Sequence, residues 1–187
     1  MANHVSNFLS VQQISEEGQK VWDEFVVAQL DKDPNLAKFI FKSDEDYDRN
    51  EMCERIGAKW AFSEDHHEYG VSITSAWSPV GPFAEMIAQK IGEVDPTVKL
   101  ALTYEDEGFN FIGVTTYDHH GEHTDNFLEY DEYRELIVNS SEQLQEWWDA
   151  DEGEWKEEHE EEARDLLWDI QWDVINDWQE RNMIWDS

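Results

Sequence analysis

Cysteine, positive charge and long apolar runs are all scarce in this chain of 187 residues. The lone Cys53 excludes an internal disulfide and fits a reducing compartment. Lysine and arginine total 13 against 45 aspartates and glutamates, a formal charge of −32. Proteins that neutralise phosphates need clustered Lys and Arg. Here no two basic residues are adjacent, so direct binding to nucleic acid or to an anionic membrane is not expected. No apolar run approaches the roughly 20 residues of a membrane span. The opening MANHVSNFLSV lacks a basic region ahead of an apolar core, so no secretory leader is expected and the cytoplasm is the expected compartment. An HExxH pair, a phosphate-cradling glycine loop, a GxSxG elbow and a CxxC pair are all absent. Nothing points to an enzyme, and no cofactor is expected.

What is abundant is aromatic. Ten Trp and nine Phe within 40% apolar residues argue for a folded chain, where an acidic chain poor in such residues would be disordered. The charge far exceeds the magnitude of roughly 2 to 8 usual for a small domain, and self-repulsion costs stability most at low salt. It is unevenly spread. Residues 1–141 carry 28 acids and 10 bases, whereas residues 142–187 carry 17 and 3.

His4 to Val11 alternates apolar and polar residues, which predicts a strand. Ser15 suits a helix N-cap with Glu16 and Glu17 in the first turn, and Asp33-Pro34 ends that helix. Short helices are expected over Leu36–Phe41 and Glu51–Ile56, and strands over Lys59–Phe62 and Val71–Trp77. A helix over Pro82–Ile91 follows. Thr97–Tyr104 and Phe109–Tyr117 read as strands joined through Glu105-Asp106-Glu107-Gly108, with Gly108 supplying the positive φ of a hairpin. From Asp131 onward the pattern is helical. The order predicts an α+β fold.

Four stretches carry a family resemblance: MANHVSNFLSV at the start, GAKW at 57–60, SAWSP at 75–79 and LTYEDEGFNF at 102–111. Together they resemble the YubB-type ferredoxin-like proteins of phages and plasmids over about residues 1–117. The resemblance implies a ferredoxin-like α+β sandwich from a mobile element and implies no reaction. The expected organisation is therefore a ferredoxin-like domain over residues 1–130. An acidic, Trp-rich helical extension over residues 131–187 would pack on or beside it.

Residues 146–179 hold six Trp and fourteen carboxylates. On a helix over residues 163–180, Ala163, Leu167, Ile170, Val174 and Trp178 form one stripe, and Trp168, Trp172 and Ile175 a second. Asp165, Asp169, Asp173 and Asp177 fill the remaining side. The plain reading is a helix docked by its aliphatic stripe with a solvated acidic face. That leaves Trp168 and Trp172 to be covered by the sheet, a second copy in a homodimer, or a partner.

The sharper reading is imitation of nucleic acid. Carboxylates at every fourth helical residue recur at about 6 Å, against one charge per roughly 1.7 Å along duplex DNA. One row is too sparse, but Glu157, Glu158, Glu161, Glu162 and the loop acids at 44–48 could add rows. The expected partner is a basic host protein of the nucleic-acid-handling or defence kind. Glu157, Glu158, Glu161, Glu162, Asp165, Asp169 and Asp173 would meet it with charge, and Trp168 and Trp172 with rings. General adaptation to high salt would produce acidity without a partner. The alternative function is a metal-binding module or metal-dependent enzyme built from His66 and His67 with His119, His120 and His123, although their spacing matches no established ligand signature. Cys53 is expected to be a packed thiol.

Overall fold

The computed structural model describes residues 3–185, and the side chains of Glu122 and His123 also lie outside the described part. Strand β1 (His4–Gln13) turns Val5, Asn7 and Leu9 to one face. Ser15 then caps helix α1 (16–30), its hydroxyl accepting from the Gly18 N–H, while the Asp95 carboxylate accepts from the Ser15 N–H. The helix widens to a π-helical turn over Trp22–Val27 and buries Trp22, Val26 and Leu30. Helix α2 (Arg49–Ile56) starts on the Asp48 side chain and closes at Gly57, whose φ of 96° suits glycine. Strands β2 (Ala61–His67) and β3 (Gly70–Ala76), helix α3 (Gly81–Gly92) and strand β4 (Lys99–Asp106) complete a βαββαβ unit.

The sheet runs in the order β2-β3-β1-β4-β5-β6, antiparallel throughout, with β5 (Phe111–Asp118) and β6 (Gly121–Glu129) added beyond β4. In its first four strands the order 2-3-1-4 with a helix after β1 and another after β3 is the ferredoxin-like arrangement, so the fold is α+β as expected. Several boundaries move, and a short two-stranded hairpin at 148–155 interrupts the stretch expected to be helical from Asp131. The strand expected over Lys59–Phe62 begins at Ala61 and continues to His67, and β6 occupies residues given no element from sequence. At the β4–β5 turn the left-handed residue is Phe109, with φ of 57°, rather than Gly108. Asp106 explains this: its carboxylate accepts from the Gly108 and Asn110 N–H groups and from the Asn110 amide, folding the turn around itself.

Helices α1 to α3 cover one face through Val5, Leu9, Val71, Leu100 and Leu102. Helices α4 (Tyr130–Asn139), α5 (Glu142–Trp147) and α6 (Glu160–Asn182), with a small hairpin of β7 (Trp148–Asp149) and β8 (Glu154–Trp155), cover part of the other. That second core holds Ile112, Tyr133, Ile137, Leu144, Ala163 and Ile175. Thus the residues after Tyr130 pack on the face opposite α1–α3. Four of the six clustered tryptophans serve this layer. Trp148 and Trp155 meet edge-on across the hairpin at 4.9 Å, Trp147 stacks on His159, and Trp178 packs against the second core.

Leu144 is fully buried at the centre of that second layer. Leu144→Ala should lower stability by about 2–5 kcal/mol, read from the urea midpoint. A Cβ at Gly113 would overlap the Tyr104 ring, whose hydroxyl is held by Asp125 at 3.2 Å. Gly113→Ala should therefore cost about 1–3 kcal/mol in the same measurement.

Candidate functional site

Helix α6 begins with Glu160, Glu161 and Glu162 in its first turn, where the positive end of the helix favours acids. Its buried side is not one straight stripe. Ala163 is buried near the start, whereas Ile175 and Gln179 are buried near the end, so the contact line winds around the helix as it crosses the sheet. This splits the second stripe read from the sequence. Ile175 is 3% exposed, but Trp168 is 76% exposed and Trp172 51%. The sheet covers neither ring fully. Asp165, Asp169 and Asp173 are exposed beside them, as are Glu157, Glu158, Glu161 and Glu162. Among the described residues none of these seven acids is in an ion pair, whereas Glu160 holds Arg164 and Asp177 holds Arg181.

The acids at 44–48 do not extend this surface. They follow the 3-10 turn Leu36–Phe39 within the α1–α3 layer, across the sheet from α6, and Asp44 is paired with Lys38. The nucleic-acid-like rows therefore reduce to α6 and the turn before it.

Alongside α6 the second face of the sheet is bare. Cross-strand pairing sets Thr74, Ser6 and Glu105 in one row and Ser72, Phe8 and Thr103 in the next. The same first row continues into Ile112 and Leu128, which lie under the helices. Glu105 thus stands where the covered half of the face ends. A groove of about 320 Å³ opens there, floored by these strands and walled by Trp172, Ile175, Asn176 and Gln179. Burial pushes the Glu105 carboxyl up to about 7, and no basic side chain lines the groove. Sequence reading missed this residue by assigning it to the turn. The signal was present, because the alternation Ala101, Thr103, Glu105 continues the strand for one more step.

A second cavity of about 400 Å³ lies between α4, α6 and the hairpin, walled by Phe109, Tyr130, Tyr133, Trp148 and Trp155. Arg134 sits within it between Tyr130 and Trp148, 4.6 and 5.1 Å from the ring centres, and bonds Asp131 and the Gly153 carbonyl. That guanidinium is already partnered and ties α4 to the hairpin. Burial, with the charges of Glu105 and Asp106 adding to it, raises the Tyr133 hydroxyl above the ordinary tyrosine range.

The histidines do not converge. His66 and His67 end β2, while His119 and His120 stand at the β5–β6 turn, with β3, β1 and β4 between. Strands spaced about 4.8 Å apart put those groups on the order of 19 Å from each other, whereas a zinc–nitrogen bond is about 2 Å. His66 faces Asp31 at 3.0 Å, and the His119 and His120 rings touch at a tilt of 40° with centres 3.7 Å apart. The side chain of His123 lies outside the described residues. Among the described residues no three metal-capable side chains gather. Cys53 is exposed on α2, not packed as expected, because Met52 and Ile56 take the buried side. No helix among the described residues is long and apolar enough to cross a membrane.

Comparison with family models, with curated proteins and with solved structures finds no match to this chain.

Because the folded Glu105 carboxyl titrates near 7, above its unfolded value of 4.5, its protonated form is the one folding favours. Its contribution is fully present below about pH 4.5 and is lost as pH rises through about 7. Glu105→Gln should stabilise the protein by about 1–3 kcal/mol at pH 8 and change little at pH 4.5, read by thermal melts at both values.

Proposed function

We propose that this protein is a non-enzymatic, mobile-element product that binds a basic host protein of the nucleic-acid-handling or defence kind and occludes its working surface. The observation that carries this reading is the outward side of α6. Two large rings lie open to water there, among carboxylates that the protein's own lysines and arginines leave unpaired. Covering one Trp removes roughly 150–250 Å² from water and is worth a few kcal/mol at about 25 cal/mol per Å². A second copy is a poor cover. It would bring the same acids against each other on a chain of charge −32. A basic surface has the complementary sign. Charge would then speed encounter, and the buried rings would slow departure.

The resemblance of residues 1–117 to phage and plasmid proteins supports the mobile-element origin, and action in the host cytoplasm follows from it. A nucleic-acid site is the natural target because it already presents Lys and Arg to a line of negative charge. The imitation is local: one helix row and the turn before it, which can plug a site without copying a duplex.

The test is displacement. A labelled DNA duplex is bound by the heparin-retained fraction of a bacterial lysate, and this protein is added. Release of the duplex is expected at 50 mM salt and should weaken at 200 mM, where the Debye length is about 7–8 Å. Asp165→Lys/Asp169→Lys/Asp173→Lys and, separately, Trp168→Ser/Trp172→Ser should each need about tenfold more protein for the same release, corresponding to roughly 1.4 kcal/mol. Release unaffected by salt, or variants equal to the parent, would sink the proposal.

A further inference from the structure

We infer that the groove between α6 and the bare strands is a receptor for a single arginine side chain, with the Glu105 carboxylate receiving the guanidinium and the Trp172 ring closing over it. The inference rests on the reading of this protein as a binder of basic partners, and names the residue such a partner would insert.

Four observations converge on a guanidinium. The groove is large enough for one side chain and not for a folded element, at about 320 Å³. Its only charged lining groups are Glu105, from β4, and Glu64, from β2. Strands β1 and β3 and helix α6 bring no charge to it, and no basic side chain lines it to pair with Glu105 or repel a cation. Glu105 has no hydrogen-bond partner among the described residues, and the hydroxyls of Ser6, Ser72 and Thr103 around it have none either. Glu64, by contrast, already accepts from Thr74. The unpartnered acceptors therefore centre on Glu105.

Arginine fits this set better than lysine. Its five donors lie in one plane, so two can engage a carboxylate while the others reach hydroxyls to either side. Its flat face stacks on an indole, and Trp172 is the ring available on the wall. An ammonium is a point charge with three donors and keeps its water more tightly. The half-buried setting sharpens the choice, because the less hydrated cation loses less on entry.

A proton is coupled to this event. A cation at Glu105 favours the ionised carboxyl, which burial disfavours when the groove is empty. Arginine entry therefore expels a proton near neutral pH. Of the other titratable groups near Glu105, Tyr133 from α4 stays protonated there and Glu64 lies at the outer side of the floor, so the coupling belongs to Glu105.

The probe is N-acetyl-argininamide, added to the full chain while the Glu105 side-chain carboxyl is followed by carbon-13 NMR. Saturating probe should move the Glu105 titration midpoint downward, and affinity should be about tenfold greater at pH 8 than at pH 6, following the ionised fraction of a group that titrates near 7. N-acetyl-lysinamide should bind several-fold more weakly. Glu105→Gln, checked for folding by circular dichroism, should lose both the affinity and its pH dependence. Trp172→Phe should weaken binding while keeping the pH dependence. The inference is overturned if the probe leaves the Glu105 midpoint unmoved, or if affinity is the same at pH 6 and pH 8. The Asp165/Asp169/Asp173 variant separates this inference from the broader one. It should be about tenfold weaker in duplex displacement yet bind the probe normally, whereas Glu105→Gln that displaces duplex as the parent does would leave the occlusion reading standing without this receptor.

Discussion

The anchoring of α6 by Gln179 fixes most of what is distinctive about this molecule. Its amide donates to the main-chain carbonyls of Tyr104 and Gly113, at 3.1 and 3.2 Å, on the paired strands β4 and β5. A buried amide left without acceptors would cost about 1–3 kcal/mol, so the contact specifies the roll of the helix as well as its position. Trp172 and Trp168 lie on the same side as Gln179 and Ile175, one and two turns earlier, yet stay exposed, because the start of the helix packs through Ala163 and not through that side. The same roll places Trp172 along one wall of the bare half of the sheet. The outer acidic surface and the inner groove are two consequences of a single docking angle.

That angle also bears on how so acidic a chain stays folded. A charge of −32 opposes compaction everywhere, and only a handful of ion pairs offset it locally. The compensation is apolar: two cores, one on each face of the sheet, with strands β4 and β5 buried between them. Acids are admitted to that interior only where donors await them. Asp95 is 2% exposed. Burial alone would raise its carboxyl, yet bonds from Ser15 and Thr97 hold it below the usual range. Asp106 is likewise encircled by donors from Gly108 and Asn110. Glu105, one residue away on the opposite face, has no such donors. Neighbours in sequence, these two acids differ because strand alternation sends one into a satisfied turn and the other into an unsatisfied groove.

Much of the fold was legible because hydrophobic alternation and capping are local. The Ser15 cap, the Pro34 break, the α3 segment after SAWSP and the strands of the βαββαβ unit all follow from spacings of two to four residues. Strand β6 was not legible for a physical reason. Its residues facing the second core include Thr124 and Asn126, whose side chains bond the carbonyls of Ile184, just past α6, and of Asn182, its last residue. A strand whose inward positions are satisfied by distant backbone has no apolar alternation to read. The β7–β8 hairpin is too short for any period to show. On α6 the wheel sorted the aspartates correctly. It assigned Trp168, Trp172 and Ile175 to one stripe because a wheel has no knowledge of a helix crossing its support obliquely.

This distinction bears on the choice between a salt-adapted surface and a binding surface. Adaptation to salt calls for carboxylates spread over exposed positions and gives no reason to lift indoles out of a core. The tryptophans of the hairpin show that this chain can pack such rings when it has room: Trp148 and Trp155 cover each other, and Trp147 is covered by His159. Trp168 and Trp172 have Asp165, Asp169 and Asp173 around them instead, with no second ring in contact among the described residues. An aromatic face among unpaired acids gains most from a flat, weakly hydrated cation, which is the chemistry of arginine on a nucleic-acid-binding surface. Exposed rings of this kind are costly in water, and that cost is the physical argument behind the proposal that α6 is shaped for a partner.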